Sequence, residues 1–187
     1  KIQEKRIRSI AIKGYNFGHV LFLGELELQC QLVILHAKKL EYAASHWILL
    51  EKGIDDGGKA PPIDIVADCS VCLSSLAAIR RLLFIGDRTD AKAMKRCNNL
   101  LALLGKPLLP NISSALVRNS WEHFDERLDD YLAIRVSGAV SELYVSSREP
   151  QPGITALRRF NPVNLSINFA DQSIALRPCV DEVTLLK

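Results

Sequence analysis

Asn111 to Leu132, NISSALVRNSWEHFDERLDDYL, is the stretch on which the reading of this chain turns. Placed at about 100° per residue, Leu116, Val117, Ser120, Trp121, Phe124, Leu128, Tyr131 and Leu132 gather on one broad face, the pattern of an amphipathic helix packed on a core. Asn119 and His123 stand one turn apart at a border of that face. Five helical steps turn Arg118 roughly 140° away from His123. On a straight helix the two side chains diverge, so joint chemistry needs a distorted first turn or a second copy of the helix.

Working outward, three more helices precede this one. Glu25 to Glu51 holds neither Gly nor Pro, and Leu28, Leu32, Leu35, Lys39, Tyr42 and His46 trace successive turns beside Val33, Leu40, Ala43 and Trp47. Gly53 and the Asp55–Pro62 stretch end it, with Pro62 suited to the first turn of a second helix running from about Ile63 to Phe84. That helix is apolar on most sides, as befits the middle of a bundle. Gly86–Asp90 breaks it, with Thr89 as the expected cap of a third helix, Ala91 to Leu104, which Gly105-Lys106-Pro107 stops. Residues 1–24 are basic and then Gly-punctuated, and form a lead-in without a clear period.

After Leu132 the helical period disappears. Leu165 to Phe169 alternates, Ala170–Ser173 follows as a turn, and Ile174-Ala175-Leu176 resumes the alternation, a hairpin signature. The expected fold is therefore mainly α. It comprises a lead-in over residues 1–24, an up-and-down four-helix bundle over 25–132 and a small C-terminal β appendage over 133–187, and the packing of that appendage is left open. Leu32, Leu35, Leu76, Leu83, Leu116, Phe124 and Leu128 are the expected core.

Composition bounds the function classes. The chain has 187 residues and is 48% hydrophobic, enough for a sizeable core, and its 24 basic against 21 acidic residues leave a net charge of +3 that permits a nucleic-acid partner without arguing for one. Five cysteines without regular spacing fit a reducing compartment better than a disulfide scaffold. No unbroken apolar run approaches the ~20 residues that span a bilayer, which predicts a soluble cytoplasmic protein without a membrane partner. Phosphate-binding loops, dinucleotide-binding turns and H-E-x-x-H zinc sites do not occur. Cys69-Ser70-Val71-Cys72 has the spacing of half a zinc site, but inside an apolar helix it reads as buried thiols. His19, His36 and His46 have no motif around them and read as structural.

Arg118-Asn119 followed by His123 resembles the R-polar-x-x-x-H signature of the HEPN superfamily, all-helical bundles many of whose members are ribonucleases of toxin–antitoxin, abortive-infection and other defence systems. The resemblance covers the four-helix part, residues 25–132, with the motif on the last long helix. It implies a HEPN-like bundle and RNA cleavage at a homodimer interface without metal or other cofactor. His123 and Arg118 would be the catalytic pair and Asn119 a supporting polar group, with an antitoxin or other protein partner.

The residue types suit that chemistry in their own right. The 2′-hydroxyl of RNA sits beside its phosphate and needs a base near neutral pH, which histidine supplies at about 6.5. Negative charge then builds on the phosphate oxygens, and a planar, permanently charged guanidinium meets it with paired hydrogen bonds. The structural alternative pairs His123 with Asp130 or Asn119, and Arg118 with Glu122 or Asp125, in a catalytically silent module that binds a protein or nucleotide, or that neutralises a toxin. Glu122, Asp125, Glu126, Asp129 and Asp130 make the same helix acidic, so an RNA substrate would need basic groups from elsewhere. Arg80, Arg81, Lys92, Lys95, Arg96, Arg127, Arg158 and Arg159 are the candidates.

Overall fold

In the computed structural model, residues 17–55, 57–58, 61–84, 90–114, 129, 133, 139–169 and 172–187 are described. The chain is mainly helical with a small four-stranded sheet towards its C-terminus. The elements in order are α1 (Phe17–Glu51), α2 (Pro62–Leu83), α3 (Ala91–Leu103), the single turn α4 (Pro110–Ser113), β1 (Ala139–Val145), β2 (Ile154–Asn161), β3 (Ser166–Phe169), β4 (Gln172–Ala175) and α5 (Leu176–Leu185).

α1 begins at Phe17, eight residues before the expected start at Glu25. Gly18 and Gly24 had read as punctuation, yet a glycine inside a long helix costs only about 1 kcal/mol and the surrounding apolar contacts offset it. Of the three helix ends expected at glycine, those of α1 and α3 are glycine ends, whereas α2 ends at Leu83 with Phe84 extended, and Gly86 lies outside the described residues. Gly53 (φ 80°) and Gly105 (φ 79°) adopt the left-handed conformation. Around them Ile54 N donates to Leu49 O and Lys106 N to Leu101 O, the long-range bond of a Schellman cap. The cap of α3 is Asp90 rather than Thr89: its carboxylate accepts from Lys92 N at 2.9 Å.

α1 and α2 are antiparallel neighbours, with Cys72 Sγ donating to Val33 O at 3.8 Å and His36 meeting Asp68 one turn further along. The buried stripe of α1 is Leu26, Cys30, Val33, Ala37, Leu40 and Ala44, and it faces Ile65, Cys69, Cys72, Leu76, Ile79 and Leu83 in the same cluster. This corrects the expected inner face: Leu35 is 52% exposed and Leu32 only partly buried, whereas Leu76 and Leu83 are fully buried as expected. The helix is apolar on most of its circumference, so period alone could not choose. The stripe rich in Cys and Ala lets two helix axes approach closely, and it faces inward. Leu116, Phe124 and Leu128 lie outside the described residues.

The sheet has the order β1-β2-β3-β4, with β1 and β2 parallel and the other pairs antiparallel. Its register aligns Val145, Phe160, Ile167 and Ile174 in one row across all four strands. That row packs into the helical core, together with Leu165, Leu176, Cys179 and Val183. The expected hairpin of 165–176 is present, but Leu176 opens α5 instead of continuing β4. Parallel pairing of β1 with β2 forces the chain to run back along the sheet between them, and side-chain hydrogen bonds from α1 and β2 fix that return. Glu51, at the end of α1, accepts from Ser146 Oγ at 2.6 Å, from Ser147 N at 2.9 Å and from Ser147 Oγ. Arg159 of β2 then binds Arg148 O at 3.1 Å and pairs with Glu149.

Two helices are long and apolar enough to cross a bilayer by length and composition, Gly18–Glu51 and Pro62–Leu83. Counting unbroken apolar runs misses them because single charges are spaced along each. In α2, 44% of the apolar window is buried inside the protein, and in α1 22%.

Because the sheet and the helices share one core, Phe160→Ala should cost about 3–5 kcal/mol and Leu76→Ala about 2–5 kcal/mol. Both losses should appear in one urea transition, followed by circular dichroism and by tryptophan fluorescence. Burial on its own would raise the Glu51 carboxyl, but the hydrogen bonds from Ser146 and Ser147 and the nearby Arg148 charge hold it below the usual carboxylate range. A group lowered on folding contributes stability above its unfolded pKa and loses it as the pH falls through the folded value. Glu51→Gln should therefore flatten the acid limb of a stability–pH curve and leave its neutral-to-alkaline shape unchanged.

Candidate functional site

The stretch carrying the sequence-predicted site starts at α4, which is a single turn ended by extended Ser114 (ψ 135°) rather than the opening of one unbroken helix to Leu132, and this turn is held from two sides. Pro110 presets the first helical φ and needs no amide partner. Glu182 of α5, 6% exposed, accepts from Asn111 N at 2.8 Å, Asn111 Nδ2 at 2.5 Å and Ile112 N at 2.8 Å. Those amides are the unsatisfied donors of a helix start, and a carboxylate there also meets the positive end of the peptide dipoles. On the far side Arg80 Nε of α2 donates to Ser113 O at 3.1 Å. Arg118, Asn119 and His123 lie outside the described residues.

A second constellation, which the sequence reading passed over, lies between α1 and α2. His36 Nδ1 stands 2.6 Å from Asp68 Oδ1, with side chains 15% and 16% exposed, and Lys39 Nζ is 3.8 Å from the same oxygen. They border an open cleft of about 600 Å³ together with Leu35, Tyr42, Ala43 and Asp64. With Nδ1–H donated to the carboxylate, Nε2 is the ring's remaining acceptor. Its signal in the sequence is faint: His36 and Lys39 share a helix face, but Asp68 comes from another helix and no local spacing announces the pair.

A third site is the outer face of the sheet. Tyr144, Arg159, Asn168 and Ser173 form the row one residue away from the core-facing one. Beside them is a polar pocket of about 380 Å³ that Asn161, Asn164, Ser166 and Gln172 also line. Arg159 is 9% exposed, and its Nε and the Asn168 Oδ1 are buried without a hydrogen-bond partner among the described residues. Its one carboxylate partner there, Glu149, has a side chain 82% exposed.

The basic residues offered as phosphate contacts divide accordingly. Arg80 and Arg159 are committed to backbone carbonyls, and so is Arg96, which donates to Arg81 O at 3.1 Å and lies over the Phe22 ring at 5.2 Å. Lys92 and Lys95 are exposed on α3. All five cysteines are free and buried. Burial, with a smaller contribution from neighbouring acidic groups, pushes the Cys72 thiol up to about 12 and Cys69 well above its ordinary value. Among the described residues no three His, Cys, Asp or Glu side chains converge as a metal site.

Comparisons with protein-family models, with curated proteins and with solved structures find no match.

Glu182→Ala should leave the Asn111 and Ile112 amides unpaired in a buried setting and cost about 1–3 kcal/mol by urea denaturation. Glu182→Gln should lose less, because one oxygen still accepts.

Proposed function

We propose that this protein is a metal-independent endoribonuclease of toxin or phage-defence type with a HEPN-like helical bundle, acting in the cytoplasm on RNA. The observation that supports this reading is the hexapeptide Arg118-Asn119-Ser120-Trp121-Glu122-His123 in a mainly helical chain, a few residues after a turn anchored by Glu182 and Arg80. His123 takes the proton from a ribose 2′-hydroxyl, and the freed oxygen attacks the adjacent phosphorus. The P–O5′ bond breaks and the departing 5′-oxygen takes a proton from water, leaving a 2′,3′-cyclic phosphate and a 5′-hydroxyl. Arg118 neutralises the charge that builds on the non-bridging oxygens, and Asn119 orients the ring or the phosphate. A homodimer supplies Arg118 and His123 from opposite chains, and an antitoxin or another protein partner restrains the activity.

The polar pocket on the outer sheet face favours a second reading, a catalytically silent module that binds a protein or nucleotide. Its buried Arg159 and its carboxamide lining offer donors and acceptors for a small polar ligand.

His123→Ala and Arg118→Ala should each reduce RNA cleavage by about 10²-fold or more while the circular dichroism spectrum stays as in the wild type. Cleavage should persist in EDTA and leave 2′,3′-cyclic ends. Wild-type protein that cleaves none of several RNAs but binds a nucleotide, with binding lost in Arg159→Gln, would replace the first reading by the second.

A further inference from the structure

Leu21, Leu28, Leu35 and Tyr42 stand seven residues apart on α1 and are 58%, 49%, 52% and 64% exposed. Seven residues fall only about 20° short of two full turns, so the four side chains make a slowly drifting stripe. The stripe is about 32 Å long at 1.5 Å per residue. It lies about 160° around the helix from the stripe that α1 buries in the core. A lone exposed leucine is ordinary, but a heptad of large apolar side chains along one helix is the seam by which one helix packs on another.

We infer that this seam is an interface at which a second copy of the chain docks with its α1 antiparallel to the first. The direction follows from charge. Glu25 and Glu27 flank the first half of the seam and Lys38 and Lys39 the second. Gln29 and Gln31 hold the two carboxylates along the helix, at 2.8 and 3.1 Å. Parallel helices in register would set Glu beside Glu and Lys beside Lys. An antiparallel pair with its two-fold axis near Gln31 and Leu32, the middle of the seam, brings the Glu25–Glu27 half of each copy alongside the Lys38–Lys39 half of the other.

The cleft between α1 and α2 opens along the seam, with Leu35 and Tyr42 in its rim. In the antiparallel arrangement it faces Leu21 and Leu28 of the second copy, which gives those side chains a concave, largely apolar seat. The same charges disfavour a lipid occupant. Glu25 and Glu27 lie within the apolar stretch of Gly18–Glu51, and a carboxylate in the bilayer interior costs on the order of 3 kcal/mol. The interface invokes none of Arg118, Asn119 and His123, so it stands whether or not the chain cleaves RNA.

The test uses the full chain. Sedimentation velocity of wild type should give twice the 20.8 kDa mass. Leu28→Glu and Leu35→Glu should each weaken association at least about tenfold, with unchanged circular dichroism. A double reversal, Glu25→Lys/Glu27→Lys, should dissociate the dimer, and mixing it with Lys38→Glu/Lys39→Glu should restore a heterodimer in which both charge contacts are attractive again. Gln31→Cys, beside the axis, should form a disulfide-linked dimer under mild oxidation, because the native thiols are buried. Leu21→Cys should not, since its symmetry mate is far along the helix. Cross-linking of Leu21→Cys as readily as Gln31→Cys would overturn the antiparallel direction. A wild type that stays monomeric into the high-micromolar range, or that floats with phosphatidylcholine vesicles through this helix, would overturn the interface.

Discussion

Everything in the described structure leans on the close approach of α1 and α2. Their facing stripes combine Leu26, Val33, Leu40, Ile65, Leu76, Ile79 and Leu83 with the small side chains of Cys30, Ala37, Ala44, Cys69 and Cys72. Large residues supply the apolar area and small ones let the backbones close on it, so removing a methylene anywhere along the line leaves a void that the rigid neighbours cannot fill. The same proximity brings His36 to Asp68 and Cys72 to the Val33 carbonyl. The sheet row led by Phe160 and the apolar side of α5 then close the remaining edge of this pair.

How much of this was legible depended on whether the signal was local. The ends of α1 and α3 were, because Gly53 and Gly105 are the residues that tolerate the left-handed cap. The start of α2 was, because Pro62 suits a first turn. The inner face of α1 was not. Leu28, Leu32 and Leu35 satisfy a helical period as well as Leu26, Cys30 and Val33 do, and choosing the bulkier set put Leu35 on the wrong side. α5 carried a readable signal that the preceding alternation masked: Leu176, Cys179, Val180 and Val183 follow helical spacing, with Pro178 in the first turn.

Candidate sites divide in the same way. The Arg118–His123 pattern is a local string and stands out in the sequence, whereas the positions of its side chains lie outside the described residues. The His36–Asp68 pair, the Arg159 pocket and the Glu182 clamp join residues far apart in the chain, and each becomes visible only once the helices and strands are placed. Arg159 illustrates why a count of basic residues misleads: two of its donors serve the return of the chain between two parallel strands, and at 9% exposure it adds little surface charge.

The Glu182 clamp also has a consequence in time. Its carboxylate reaches back 70 residues to Ile112, so the Pro110–Ser113 turn is completed by a helix synthesised well after it. At ordinary elongation rates of about 5–20 residues per second, the interval is about 4–14 s. During that interval the amides of Asn111 and Ile112 have only water as partners, and the segment is free to fray. A nascent chain therefore emerges with the Pro110–Ser113 turn unanchored, and a product cut short before α5 never gains the anchor.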